Sequence, residues 1–200
     1  MPPTAPPPGR RERNKQAKLE RIIAAASELF AARGVDEVTT QQIAEAADIG
    51  TGTLFLYART KGELLLLVQN HHYASSLERG IAAAAASSNA LDGIMELLLP
   101  IIECNRVQVE NGRTYLREML FGDPTEPHHG EALKIVGQTE HAIAEILIKH
   151  RSLDAAKAET LARAISSIQF VAMASAISPE ISNAQLAAGM RAQIDAILPD

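Results

Sequence analysis

From Arg11 onward, apolar residues return at steps of three and four, and no segment sustains a period-two alternation with β-branched enrichment. This pattern constrains the chain most. It lays apolar side chains along one face of successive helices and leaves nothing from which to build a sheet. The helices also carry their own punctuation. Thr39 with Gln42, Thr60 with Glu63 and Ser182 with Gln185 have capping-box spacing, in which each side chain satisfies the other residue's free backbone N–H. Gly34, Gly122–Asp123–Pro124, Ser178–Pro179 and Pro199 read as stops. The outcome is an all-α chain of about nine helices. The first runs from Arg11 to Arg33, with Leu19, Ile22, Ile23, Ala26, Leu29 and Phe30 on its inner face. A second opens at Thr39, a third of barely two turns covers Thr51–Tyr57, and a fourth runs from Thr60 toward Arg79. Leu91–Val109, Thr114–Phe121, Gly130–His150, Asp154 to about Ile177, and Ser182 to Leu198 complete the set.

At 200 residues the chain is long enough for one domain, or one with a small satellite. Aromatics make up only 4% and Trp is absent, so alanine and leucine must supply most of the packing. The single cysteine, Cys104, excludes an intramolecular disulfide framework and a multi-cysteine zinc site. No apolar run approaches the roughly 18 residues of a membrane span. The start is proline-rich and then charged, without the apolar stretch of a signal peptide. A cytoplasmic protein with no membrane partner is expected. Residues 1–10 are expected to be a disordered tail, because proline lacks the backbone N–H and clashes with a preceding helical turn.

The net charge of −5 is unevenly spread. Residues 1–62 carry nine Lys/Arg against seven Asp/Glu, and residues 63–200 ten against seventeen. Six of the basic residues fall between Arg10 and Arg21. A basic cluster at one end of an acidic chain suits either a local phosphate footprint or a solvated helix start. The second and third helices are separated only by Ala47–Asp48–Ile49–Gly50. That is helix-turn-helix spacing, in which the second helix of the pair projects into the DNA major groove. The third helix offers Thr51, Gly52, Thr53, Phe55 and Tyr57 outward, with Leu54 inward. Threonine hydroxyls can bond base edges or phosphates, and methyl or ring faces can meet a thymine methyl. Lys61, at the next helix start, can meet a phosphate. The same spacing also suits a three-helix packing unit with no nucleic acid.

The run from Thr39 to Tyr57 (TTQQIAEAADIGTGTLFLY) resembles the DNA-binding domain of TetR-family transcriptional regulators. Lys61-Gly62-Glu63-Leu64-Leu65 resembles that family's fourth-helix start, and Ala25, Leu29, Phe30, Arg33 and Gly34 its first-helix ending. The detailed likeness covers about residues 17–67. It implies DNA contacts at Thr40, Gln41, Thr51, Gly52, Thr53, Phe55, Tyr57 and Lys61. It also implies a helix-turn-helix domain over residues 11–60 and an effector-binding and dimerisation bundle over 61–200. The function implied is that of a ligand-responsive regulator, a repressor that binds a palindromic double-stranded operator as a homodimer. A small, mostly apolar effector would release it. Asp48 stands where the family's turn usually has Gly, and Asp tolerates the left-handed conformation better than most residues. Gly50 stands at the third helix's N-cap, and Ala58 replaces a common aromatic.

Two rival readings are a helical adaptor that binds another protein and an enzyme in a helical bundle. The adaptor is separated by salt dependence, because counterion release belongs to phosphate contacts. The enzyme lacks a convergent set of nucleophile, base and orienter, and no catalytic residue, metal or cofactor is expected. His141 and Glu145 lie one helical turn apart but are two ligands only. The effector pocket is expected between the middle helices and the end of the fourth. Its candidate residues are Cys104, Gln108, Tyr115, Met119, Phe121, Gln138, Phe170 and Met173. A redox role for Cys104 would need an activated thiolate, and Arg106 lies on a different helix face. The last two long helices are expected to pair with their symmetry mates through Ala158, Leu161, Ala162, Ile165, Ile168, Val171, Ala172, Leu186, Ala187, Met190, Ile194 and Ile197.

Overall fold

In a computed structural model, which describes residues 9–176, 178 and 180–199, the chain forms nine helices and no strand among those residues. They are α1 (Arg10–Arg33), α2 (Thr40–Ala46), α3 (Thr51–Leu54), α4 (Lys61–Ala84), α5 (Ala90–Asn105), α6 (Val109–Phe121), α7 (Pro127–Arg151), α8 (Ala155–Ser175) and α9 (Asn183–Ile197). The expected disordered tail lies, apart from Gly9 and Arg10, outside the described residues, and Arg10 is already helical. The expected helix end at Ile177 and stop at Pro179 also lie outside them; α8 ends at Ser175.

The caps account for most boundaries. Thr39 and Gln42 exchange both bonds of the capping box, and so do Ser182 and Gln185. The Thr60 pair corrects the expectation. Thr60 Oγ1 accepts from Glu63 N at 3.1 Å, but the Glu63 carboxylate reaches past Thr60 to accept from Arg59 N. α1 stops at Gly34, whose φ of 79° favours glycine and whose N–H donates to Phe30 O at 2.9 Å. α3 is only four residues long and relaxes into turns through Tyr57, shorter than the expected two turns. α6 begins five residues before the expected Thr114, because the Gln108 side chain caps it by accepting from Asn111 N. α7 begins three residues before Gly130. Pro127 occupies its first turn, where no N–H is needed, and Glu126 accepts from His129 N.

α4 runs from beside α3 into the larger bundle, where it packs on α1, α5, α6 and α7. Leu64, Leu65, Leu66, Val68, Tyr73 and Leu77 bury its inner face. At the α4–α5 crossing the backbones touch, and a Cβ on Gly80 would overlap the Leu97 carbonyl. The end of α5 is tethered to the C-terminal pair. Arg106 donates to Ala176 O at 2.8 Å, to Asn183 Oδ1 at 2.9 Å and to Ile181 O. Of the apolar residues on the last two helices, Ala158, Ala162, Ile165, Leu186, Met190 and Ile194 are buried in the chain's own core. Leu161, Ile168, Ala172 and Ala187 are half-buried, while Val171 and Ile197 lie on the surface.

Candidate nucleic-acid interface and ligand cavity

The first three helices close on a small core of Ile22, Ala26, Phe30, Val38, Ile43, Ala44, Ala47, Leu54 and Ala58. Asp48 takes the left-handed conformation at φ 52°, as the turn demands, and Arg21 of α1 holds it through its carboxylate at 3.3 Å. Ala58 is buried in this core. With Leu54 inward, α3 turns Thr51, Gly52 and Phe55 to solvent and leaves Thr53 half-buried. Leu56, which the sequence reading passed over, is the most exposed apolar residue here at 83%.

Tyr57 turns back toward α1, and its hydroxyl donates to Lys15 O at 3.3 Å. A groove between α1 and α3 is lined by Arg10, Arg11, Lys15, Lys18, Thr53, Leu56 and Tyr57. The basic cluster therefore stands beside the recognition helix rather than at a remote helix start. At the start of α2, Thr40 is half-buried, and Gln41 is exposed with its amide donating to Glu45 at 3.0 Å. Lys61 has a local task. Its Nζ donates to Val35 O at 3.1 Å and Asp36 O at 2.9 Å, which ties the α1–α2 connection to α4.

In the bundle, a cavity of about 400 Å³ lies among α4, α5, α6, α7 and α8. Tyr115, Met119, Phe170 and Met173 line it, as expected. α7 adds Ala132, Leu133, Val136 and Thr139, and α8 adds Ser166 and Gln169; periodicity alone did not single these out. No charged side chain among the described residues lines it. The other four candidates lie elsewhere. Cys104 and Gln108 line a separate cavity of about 520 Å³ among α1, α4, α5 and α6. Gln138 is exposed in a groove between α4 and α7. Phe121, at 80% exposure, turns to solvent at the end of α6. Burial pushes the Cys104 thiol up, with the Ser76 hydrogen bond and the Arg79 charge only partly opposing it. The cation nearest in effect is thus Arg79, one helix away, and not Arg106.

Residues 22–68 match the family described as bacterial regulatory proteins, tetR family. Over those residues the chain carries the DNA-binding segment of that family. It is also similar to the HTH-type transcriptional regulator TcmR of Streptomyces glaucescens, 25% identical over 154 residues. That match covers 74% of this chain and spans 66% of the relative's length. A TetR transcriptional regulator from Rhodococcus sp. RHA1 shares the fold at TM-score 0.70 and 16% identity, over 94% of this chain and 98% of its own. Thermus thermophilus FadR, a TetR-family transcriptional repressor solved in complex with lauroyl-CoA, superposes at TM-score 0.68 with 24% identity, over 91% and 96%. No helix among the described residues is long and apolar enough to cross a membrane.

Polar side chains join the cavity to the helix-turn-helix segment. The Tyr115 ring forms part of the cavity wall and stacks on Tyr73, centroids 4.6 Å apart. Its hydroxyl donates to Asn70 Oδ1 at 2.8 Å, and Asn70 Nδ2 donates to His128 O at 2.8 Å. His128 Nε2 lies 2.9 Å from Tyr57 O; a carbonyl only accepts, so this nitrogen carries the proton. One turn before Tyr115, buried Asn111 clamps the end of α1, accepting from Val35 N and donating to Phe30 O, each at 2.8 Å.

Proposed function

We propose that the chain is a cytoplasmic, homodimeric repressor that grips a palindromic double-stranded operator and lets go when a small, mostly apolar effector fills the cavity. Residues 11–60 serve as the DNA-binding domain and residues 61–200 as the effector and dimerisation domain. Thr51, Gly52, Thr53 and Phe55 read base edges, helped by Leu56, whose exposure is otherwise costly. Thr40, Gln41, Tyr57 and Lys61 meet the backbone beside the basic end of α1. Pairing of α8 and α9 with their symmetry mates uses the apolar residues left at the surface, Val171 foremost. It sets the recognition helices about 34–36 Å apart, one turn of the duplex.

The observation that carries the ligand-responsive reading is the hydrogen-bonded chain from Tyr115 through Asn70 and His128 to Tyr57. It starts on the cavity wall and ends on the segment that bears the base-reading residues. A ligand that prefers one arrangement of Tyr115 therefore has a route by which to bias the recognition helix. Its effect is bounded by its differential affinity for the two states. The apolar cavity supports the effector class, and the lauroyl-CoA complex of Thermus thermophilus FadR is a precedent within the fold.

The test is selection of bound duplexes from random DNA, followed by a screen for small molecules that release them. A palindromic consensus, a steep salt dependence and a dimer by light scattering are expected. A monomer at micromolar concentration, or no enriched sequence, overturns the proposal.

A further inference from the structure

We propose that Gln169 is the polar anchor of the cavity and that the effector it selects is uncharged, an apolar body bearing one neutral amide, hydroxyl or carbonyl group. This rests on the effector reading above and narrows it. Gln169 sits on α8 between Ile165 and Met173, on the helix face that packs into the core, and is only 5% exposed. A side chain with two N–H donors and a carbonyl acceptor is costly there unless it is paired. Yet its amide makes no hydrogen bond to any described residue, and neither amide atom is sealed inside protein, since His128 Nδ1 alone has that status among the described side chains. The amide opens into the cavity it lines.

The neighbouring polar groups are already committed or weak. Tyr115 gives its proton to Asn70, and Thr139 gives its proton to Ile135 O at 2.9 Å. Ser166, three residues before Gln169 and so on the same helix face, adds one hydroxyl at the wall. Gln169 thus supplies a free donor and a free acceptor together, in a wall built largely of apolar side chains such as Met119, Leu133 and Phe170. No charged side chain among the described residues faces the space. Burial pushes the Tyr73 and Tyr115 hydroxyls well up, so neither becomes an anion. An ionised head group entering would lose its hydration and meet no counter-charge. A neutral head group would exchange water for the Gln169 amide.

The experiment uses the full chain and four ten-carbon probes of one shape: decanamide, 1-decanol, decanoate and decylammonium. Affinities come from isothermal titration at pH 7. The neutral pair should bind roughly tenfold or more tighter than the charged pair, about the factor of one hydrogen bond. Gln169→Met keeps the volume and removes the amide. It should weaken decanamide by about the same factor and leave the melting temperature of the free protein unchanged or raised, because the wild-type amide has no partner to lose. Gln169→Glu should shift the preference toward decylammonium. Equal binding of decanoate and decanamide overturns the inference while leaving the effector cavity standing, and so does a lowered melting point in Gln169→Met with decanamide affinity intact. No saturable binding by any of the four overturns the cavity reading and this inference with it.

Discussion

Asn70→Leu cuts the link between cavity and recognition helix at its centre while keeping an apolar side chain of similar size. Two hydrogen bonds go at once, from the Tyr115 hydroxyl and to the His128 carbonyl, both 2.8 Å long and set where Asn70 is only 5% exposed. Each neutral bond nets about 0.5–1.5 kcal/mol, so the pair contributes roughly 1–3 kcal/mol. For a chain of this size, 1 kcal/mol moves the melting temperature by about 2–4 °C, which predicts a drop of roughly 2–12 °C. The functional effect should be larger in kind. A wild-type effector is expected to weaken operator binding by about 5–150-fold, the usual range of such coupling. In Asn70→Leu that factor should fall close to one, with operator affinity in the absence of effector retained. The assay is fluorescence anisotropy of a labelled operator, titrated with and without a releasing compound, well below the melting point. A variant that melts within the predicted range yet releases DNA by the wild-type factor would refute the reasoning, because the bonds would then be structural only.

Gly80→Ala forces a Cβ into the Leu97 carbonyl, and backbone yields poorly. The loss should reach the upper end of the about 1–3 kcal/mol typical of overpacking, and an unchanged urea midpoint would count against the crossing described above. Thr53→Ala should relax base preference at one operator position without changing the melting temperature. Lys61→Ala should lower stability, by freeing the Val35 and Asp36 carbonyls, and should also reduce the salt slope of DNA binding by about one. Lowered stability with an unchanged slope would assign Lys61 to the loop alone. Burial, and then the neighbouring His71, holds the His72 imidazole below its ordinary value, and the neutral ring bonds Ser27. The unfolded chain takes up that proton more readily, so the stability this provides is complete above about pH 6.5 and is lost as pH falls below it. Between pH 6.5 and 5, wild-type melting should therefore decline faster than that of His72→Gln; equal slopes sink the assignment.

The helix-turn-helix segment was the more legible because its signals are local. The Thr39–Gln42 box, the Gly34 stop and the left-handed Asp48 each concern a few consecutive residues whose backbone requirements are written in their side chains. The cavity is a property of non-adjacent helices. Periodicity marks Ala132, Val136 and Met173 as inward but cannot say which inward residues stop short of one another and leave a void. Phe121 shows the converse: an aromatic at the end of an amphipathic helix looks like core until the next turn, at Gly122, carries the chain away. Gln169 carried a usable signal, a polar residue at an inward position between Ile165 and Met173. The roles of Lys61 and Arg106 rest on carbonyls supplied from far along the chain, which no spacing rule reveals.

Arg106 grips the α8–α9 connection across 70 to 77 residues of intervening chain. The entropy of closing so long a loop grows only with the logarithm of its length. Ten extra residues in the α6–α7 connection would raise that cost by about 0.1 kcal/mol. The tether is therefore nearly blind to what happens between its ends. The middle of the bundle can be lengthened, shortened or reshaped around a different guest while the C-terminal hairpin keeps its seat on α5. The α6–α7 side of the cavity is free to change its shape, while the α8–α9 connection keeps its place on the end of α5.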